Sequence, residues 1–149
     1  MARQGNASDR LLTEFTIPSQ PGNERIAMRR VAEAVRPLAF ESDRLARLAT
    51  AVSEATMNAM EHGNHFEPER PVSVRVVASD TEVLITVSDW GGGSPIHTSA
   101  APDLEAKLAG RQSPRGWGLF LMRQMVDDVT DESDDGGHRV HLRLRLPGQ

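Results

Sequence analysis

Residues 11–17 alternate apolar and polar positions well enough for a strand, and Pro18-Ser19-Gln20-Pro21-Gly22 stops it. Helix formers then run from Asn23, a residue suited to capping, to Pro37, which predicts a helix over about 24–36. The clearest pattern follows. Leu45, Leu48, Val52, Ala55 and Ala59 recur at spacings of three and four, with Ser42 placed to cap the helix and Gly63 to end it. After Pro71 the period changes from helical to alternating. Residues 72–77 and 82–88 read as two strands joined by a turn at Ser79-Asp80, an antiparallel hairpin. The stretch 91–115 is rich in glycine and proline and holds at most a short helix around 103–109. Residues 117–126 read as a helix, 131–137 as an acidic turn ending in glycine, and 138–146 as a closing strand with Val140, Leu142, Leu144 and Leu146 on one face. Helices and strands mix without regular β-α-β alternation. The expected fold class is α+β, a two-layer α/β sandwich on a mixed, mostly antiparallel sheet.

Composition narrows the function classes. The 149 residues fit one domain, and 38% hydrophobic with 26% charged residues is ordinary for a globular chain. No apolar run approaches the roughly 20 residues of a spanning helix, and Met1–Arg10 lacks the apolar core of a signal peptide, so a cytoplasmic protein without membrane contact is expected. The absence of cysteine excludes disulfides and thiolate chemistry. A net charge of −4 with scattered cations speaks against nucleic-acid binding. His62, His65, His97, His138 and His141 show no zinc-binding spacing, and Arg139, Arg143 and Arg145 read as the wet face of a strand.

Three segments remain. In Glu54-Ala-Thr-Met-Asn58-Ala-Met-Glu61-His-Gly-Asn64, Glu54 and Asn58 stand four residues apart and leave one side of the helix, opposite the Leu45/Val52/Ala59 stripe. A carboxylate and an amide oxygen one turn apart suit Mg²⁺, which takes hard oxygen ligands. Alone, that face reads more simply as a solvated one. In Asp89-Trp-Gly91-Gly-Gly93 a strand runs into an aspartate and then glycines, either a plain turn or a corner where a carboxylate accepts a hydrogen bond from an exocyclic amine such as adenine's. In Arg115-Gly116-Trp117-Gly118-Leu119, glycines precede an apolar helix. This is either a helix-entry loop with Trp117 as anchor or a phosphate cradle of free amides with Arg115 as a fork. Neither a Walker motif nor a Rossmann fingerprint is present.

The order and spacing of these segments resemble the N, G1 and G2 boxes of the gyrase–Hsp90–histidine-kinase–MutL ATPases. Glu-Ala-x-x-Asn-Ala-x-Glu-His-Gly with Arg-Gly-x-Gly-Leu is similar to the anti-sigma-factor serine kinases of that superfamily, over residues 11–146. The resemblance implies the Bergerat fold as a single ATP-binding domain over 1–149, with 1–10 flexible and 94–114 a lid. It implies ATP and Mg²⁺ as cofactors, Glu54 as general base and Asn58 as the magnesium ligand. Asp89 would read adenine, with Gly91 and Gly93 as the G1 glycines. Arg115, Gly116, Trp117, Gly118 and Leu119 would form the phosphate segment, with Lys107 and Arg111 as further cations. Ser94 departs from the bulky residue usual after the third glycine, and either Thr130 or Ser133 matches the hydroxyl that backs the adenine pocket.

The function so implied is an ATP-dependent protein-serine kinase acting as an anti-sigma factor. It would bind a sigma factor and phosphorylate a serine of an anti-anti-sigma (STAS) partner, with homodimerisation implied by the family alone. The competing readings are a non-catalytic ATP-binding switch and, ranked lower, a detached histidine-kinase catalytic domain. The last usually carries asparagine at the Glu54 position and a phospho-accepting helix ahead of it.

Overall fold

The computed structural model describes residues 9–90, 114–134 and 137–148. Strand β1 (Arg10–Ile17) leads to helix α1 (Asn23–Val35), a 3-10 turn (Arg36–Leu38) and helix α2 (Ser42–Asn58). A π-helical turn (Ala59–Gly63) extends α2 before strands β2 (Val72–Ala78) and β3 (Glu82–Ser88). Helix α3 (Pro114–Met125), strand β4 (Asp128–Asp134) and strand β5 (Gly137–Arg145) complete the described elements. The expected short helix at 103–109 and the lid at 94–114 fall outside the described residues, apart from Pro114 at the head of α3.

The strands form one sheet in the order β1-β2-β3-β5-β4. Every pairing between described strands is antiparallel, so the expected mixed sheet is corrected. The reason is topological. β3 and β4 both run antiparallel to β5 and so parallel to each other, but β5 lies between them and they never pair. α1 lies across β1 and β2, α2 across β3 and β5, and α3 beside β4, giving the expected two layers. Among the described residues no helix is long and apolar enough to cross a membrane.

The apolar stripe of α2 enters the core as read. Leu48, Val52 and Ala55 are fully buried, Ala59 nearly so, and Leu45 packs at the margin. They meet Val74, Val76, Ile85, Leu142 and Met122 from the sheet and α3. Each fully buried large aliphatic contributes about 1.5–3 kcal/mol, so this interface fixes where α2 lies. Val140, Leu142 and Leu144 point inward from β5, whereas Leu146 follows the strand and is only partly buried.

Both helix starts differ from expectation. Gly22, at φ 101°, is the N-cap of α1, while the Asn23 side chain donates to the Pro18 carbonyl at 2.8 Å. Glu41 rather than Ser42 caps α2, without a side-chain hydrogen bond.

β4 corrects the reading of 131–137 as a turn. Its sequence is nearly all acid and hydroxyl, poor in strand formers, and Val129 is its one deeply buried residue. Pairing with the cations of β5 holds it in place. Glu132 stands opposite Arg139 with Oε1 3.0 Å from Nε, and Arg139 Nη2 reaches Asp134 at 2.7 Å. His141 Nε2 lies 3.0 Å from the same Glu132 oxygen. These cross-strand contacts on an edge strand offset weak intrinsic propensity. The arginines read as a wet strand face are therefore largely engaged: Arg139 as described, and Arg143 with Glu82 at 2.8 Å.

Candidate nucleotide site

Glu54 and Asn58 leave the same side of α2, as their spacing requires, and that side faces α3 rather than solvent. Gly118 comes against both. A methyl group built there would stand 3.0 Å from Glu54 Oε2 and 3.1 Å from Asn58 Nδ2. Asn58 is 7% exposed, and its Nδ2 is buried without a hydrogen-bond partner among the described residues. Burying an unmatched amide costs about 1–3 kcal/mol, so such an orphan marks a place built for something else. A carboxylate with an amide one turn away offers the hard-oxygen donors Mg²⁺ takes, since turning the amide exchanges its oxygen and nitrogen ends. On that observation the residues fit the metal.

α3 begins three residues earlier than expected. Gly118 therefore lies one turn inside the helix rather than at its mouth, and its visible contribution is the lack of a side chain against Glu54 and Asn58. The first amides of a helix lack intrahelical partners, and Pro114 brings none, which leaves those of Arg115, Gly116 and Trp117 at this end. The side chains of Arg115 and Trp117 are not among those described. Leu119, expected in the phosphate segment, is 2% exposed and belongs to the core.

The π-helical turn carries the chain from this pair to a second cluster. Its wider loop closes with the Asn64 amide donating to the Ala59 carbonyl at 2.9 Å and the Phe66 amide to that of Met60 at 2.7 Å. Asp89, 5% exposed, packs directly on Gly63, where any Cβ would overlap the carboxylate. Gly137 closes the other side. Its φ of 129° suits only glycine, and a Cβ there would strike the Asp89 carbonyl oxygen. Asp89 continues the β3–β5 ladder by donating from its amide to the His138 carbonyl at 2.9 Å, and its Oδ1 accepts from the His138 amide at 3.3 Å.

Asn64 clasps this corner. Fully buried, it donates from Nδ2 toward Ser19 Oγ at 3.0 Å and the carbonyls of Arg70 and Pro71 at 2.8 and 3.2 Å. Its Oδ1 accepts from the Trp90 amide at 2.9 Å. One side chain thus ties the loops before α1 and β2 to the residue after Asp89.

Glu54, Asn58 and Gly118 are therefore brought together, and Asp89 meets Gly63 at the end of the π-helical turn that extends α2, while Gly91 and Gly93 lie outside the described residues. Thr130 and Ser133 are exposed on β4, and the residue set against the Asp89 side chain is His138. Sequence reasoning missed His138, Asn64, Gly63 and Gly137 as parts of this corner. Gly63 and Asn64 stood in a segment already singled out. His138 gave no signal, because its neighbour Asp131 meets it only through a hairpin read as a turn.

The histidine kinase-like ATPase domain family matches residues 17–145. The anti-sigma F factor of Geobacillus stearothermophilus is 36% identical over 123 residues, which cover 81% of this chain and 83% of that protein. That of Bacillus licheniformis is 33% identical over 135 residues, 89% of this chain and 90% of the relative. Among solved structures, the RsbU and RsbW domains of a Mycobacterium tuberculosis protein superpose with a TM-score of 0.65 at 20% identity, covering 90% of this chain and 32% of that longer one. The catalytic domain of histidine kinase ThkA gives 0.50 at 15% identity, covering 92% and 97%. These two likenesses concern the fold.

Proposed function

This chain belongs to the histidine kinase-like ATPase domain family, with anti-sigma F factors among its relatives, and from that premise we propose that it is an ATP-dependent protein-serine kinase acting as an anti-sigma factor. In this reading it holds a sigma factor and phosphorylates a serine on a single-domain STAS partner. The observation that carries the catalytic part is the Glu54–Asn58 pair turned toward the side-chain-free surface of Gly118, with a buried amide nitrogen unmatched among the described residues.

The proposed division of labour follows from position. Asp89 accepts a hydrogen bond from the adenine amine. Gly91 and Gly93 let the backbone approach the nucleotide. The first amides of α3, with Arg115, hold phosphate oxygens. Asn58 is the protein's ligand to Mg²⁺, which when bound neutralises phosphate charge. Glu54 takes the proton as the serine oxygen bonds to the γ-phosphorus and ADP departs. The half-buried position of Glu54, one turn from Asn58, suits a base that must reach a hydroxyl beside the phosphates.

Incubation with γ-labelled ATP, Mg²⁺ and a cognate STAS protein is expected to place label on one serine of that partner. Repeated absence of transfer, with both proteins folded and nucleotide bound, removes the kinase assignment and leaves a nucleotide-dependent binding protein.

A further inference from the structure

We infer that His138 is a positioning residue for the base-reading carboxylate: it holds both oxygens of Asp89 in the orientation that prefers adenine to guanine. The inference rests on the nucleotide reading above and adds a residue and a specificity role to it.

The geometry is compact. Asp89, His138 and Asp131 form a line of side chains only 1%, 5% and 12% exposed. His138 meets Asp89 twice, its backbone amide 3.3 Å from Oδ1 and its ring Nδ1 3.6 Å from Oδ2. The far ring nitrogen, Nε2, lies 3.1 Å from Asp131 Oδ2. Only an imidazole protonated on both nitrogens presents an N–H to each carboxylate. At 3.6 Å the ring contact to Asp89 is long for a hydrogen bond; with the ring protonated it is a charge contact between two side chains that are nearly dry.

The surroundings leave Asp89 little other freedom. Gly63 and Gly137 press on it without side chains, and His138 stands on the strand whose ladder Asp89 continues. A carboxylate fixed in this way accepts from an exocyclic amine and repels the carbonyl oxygen that guanine carries at the equivalent place. A carboxylate free to swing could turn away from that oxygen and discriminate less.

A purely structural role makes a different forecast, because the contact with Asp131 would by itself tie β4 to β5. Two amides separate the cases. His138→Asn keeps a donor near the Nδ1 position and gives up Asp131, whereas His138→Gln keeps one near Nε2 and gives up Asp89. Mg²⁺-dependent binding of ADP and GDP is measured by calorimetry for the full chain and for both variants, with His138→Ala as a third and thermal melts as the check on folding.

The positioning role requires His138→Gln and His138→Ala to lose about tenfold in the ADP over GDP preference, while His138→Asn stays within about threefold of the parent. A folded His138→Ala that keeps the parent's preference overturns the assignment, as does a Gln variant that behaves like the parent beside an Asn variant that does not. If His138→Ala fails to fold, the Asn and Gln pair still decides. A parent chain that takes up neither nucleotide overturns the nucleotide reading itself, and this inference with it.

Discussion

The carboxylate of Asp89 rests on the backbone of Gly63 with no room for a side chain between them. Gly63 ends a π-helical turn and carries no left-handed backbone angle, so alanine is conformationally acceptable there and would ordinarily be favoured over glycine by about 0.5–1 kcal/mol. The clash must outweigh that gain. Gly63→Ala is expected to lower stability by roughly 1–3 kcal/mol and to weaken ADP binding, read by urea melts and calorimetry. A more stable variant with unchanged affinity would show that the corner yields easily.

Asn64 is expected to matter through its hydrogen bonds alone. Asn64→Ala leaves the part-buried carbonyls of Arg70 and Pro71 and the Trp90 amide without this partner, and the expected loss is roughly 1–3 kcal/mol. Asn64→Asp keeps an acceptor for Trp90 but turns a carboxylate oxygen toward the carbonyls of Arg70 and Pro71, so it should destabilise at least as much. Denaturant melts of both variants test this, and an aspartate variant as stable as the parent would refute the account.

Glu54→Ala separates catalysis from switching. If Glu54 is the base, transfer to the STAS partner should fall by about 10²-fold or more while ADP affinity changes little. If nucleotide occupancy alone sets partner affinity, regulation of the partner persists in the variant. The decisive comparison is single-turnover transfer beside nucleotide affinity on the same preparation.

Glu132 supplies a pH test of β4. Hydrogen bonds from His141 and then Arg139 hold its carboxyl below the ordinary value of 4.5. A depressed carboxylate contributes stability that is complete above the unfolded value and disappears as pH falls through the folded one. Glu132→Gln should therefore melt slightly below the parent at neutral pH, and the gap should close in acid below about 4.5. The effect is small because the group is solvent-exposed. A gap that persists in strong acid would assign it to something other than charge.

Elements that bury a strict pattern could be read from sequence. Val72, Val74 and Val76 alternate into the core, and Leu48, Val52 and Ala55 recur with helical spacing, so the β2–β3 hairpin and α2 follow from period alone. Strand β4 shows no such period, because what holds it are cations on another strand. The site divides the same way. Glu54 and Asn58 are visible because one helix carries both, and Asp89 because a strand ends in glycines. That the Glu54–Asn58 face meets Gly118 instead of water depends on how α3 packs, which spacing along α2 does not encode. The contact between His138 and Asp89 needs the β5 register, and Asn64 joins segments that are far apart in sequence.

That register has a consequence for how such a corner stays aligned. With Val87 opposite Val140 and Ile85 opposite Leu142, the rung beyond Ser88 and Arg139 delivers His138 to Asp89. Sliding β5 by a single residue would turn its valine and leucines outward and bring Arg139, His141 and Arg143 into the apolar layer. Misalignment at the Asp89 corner would thus first be punished as a folding error, so the hydrophobic interior acts as the gauge that keeps the polar corner true.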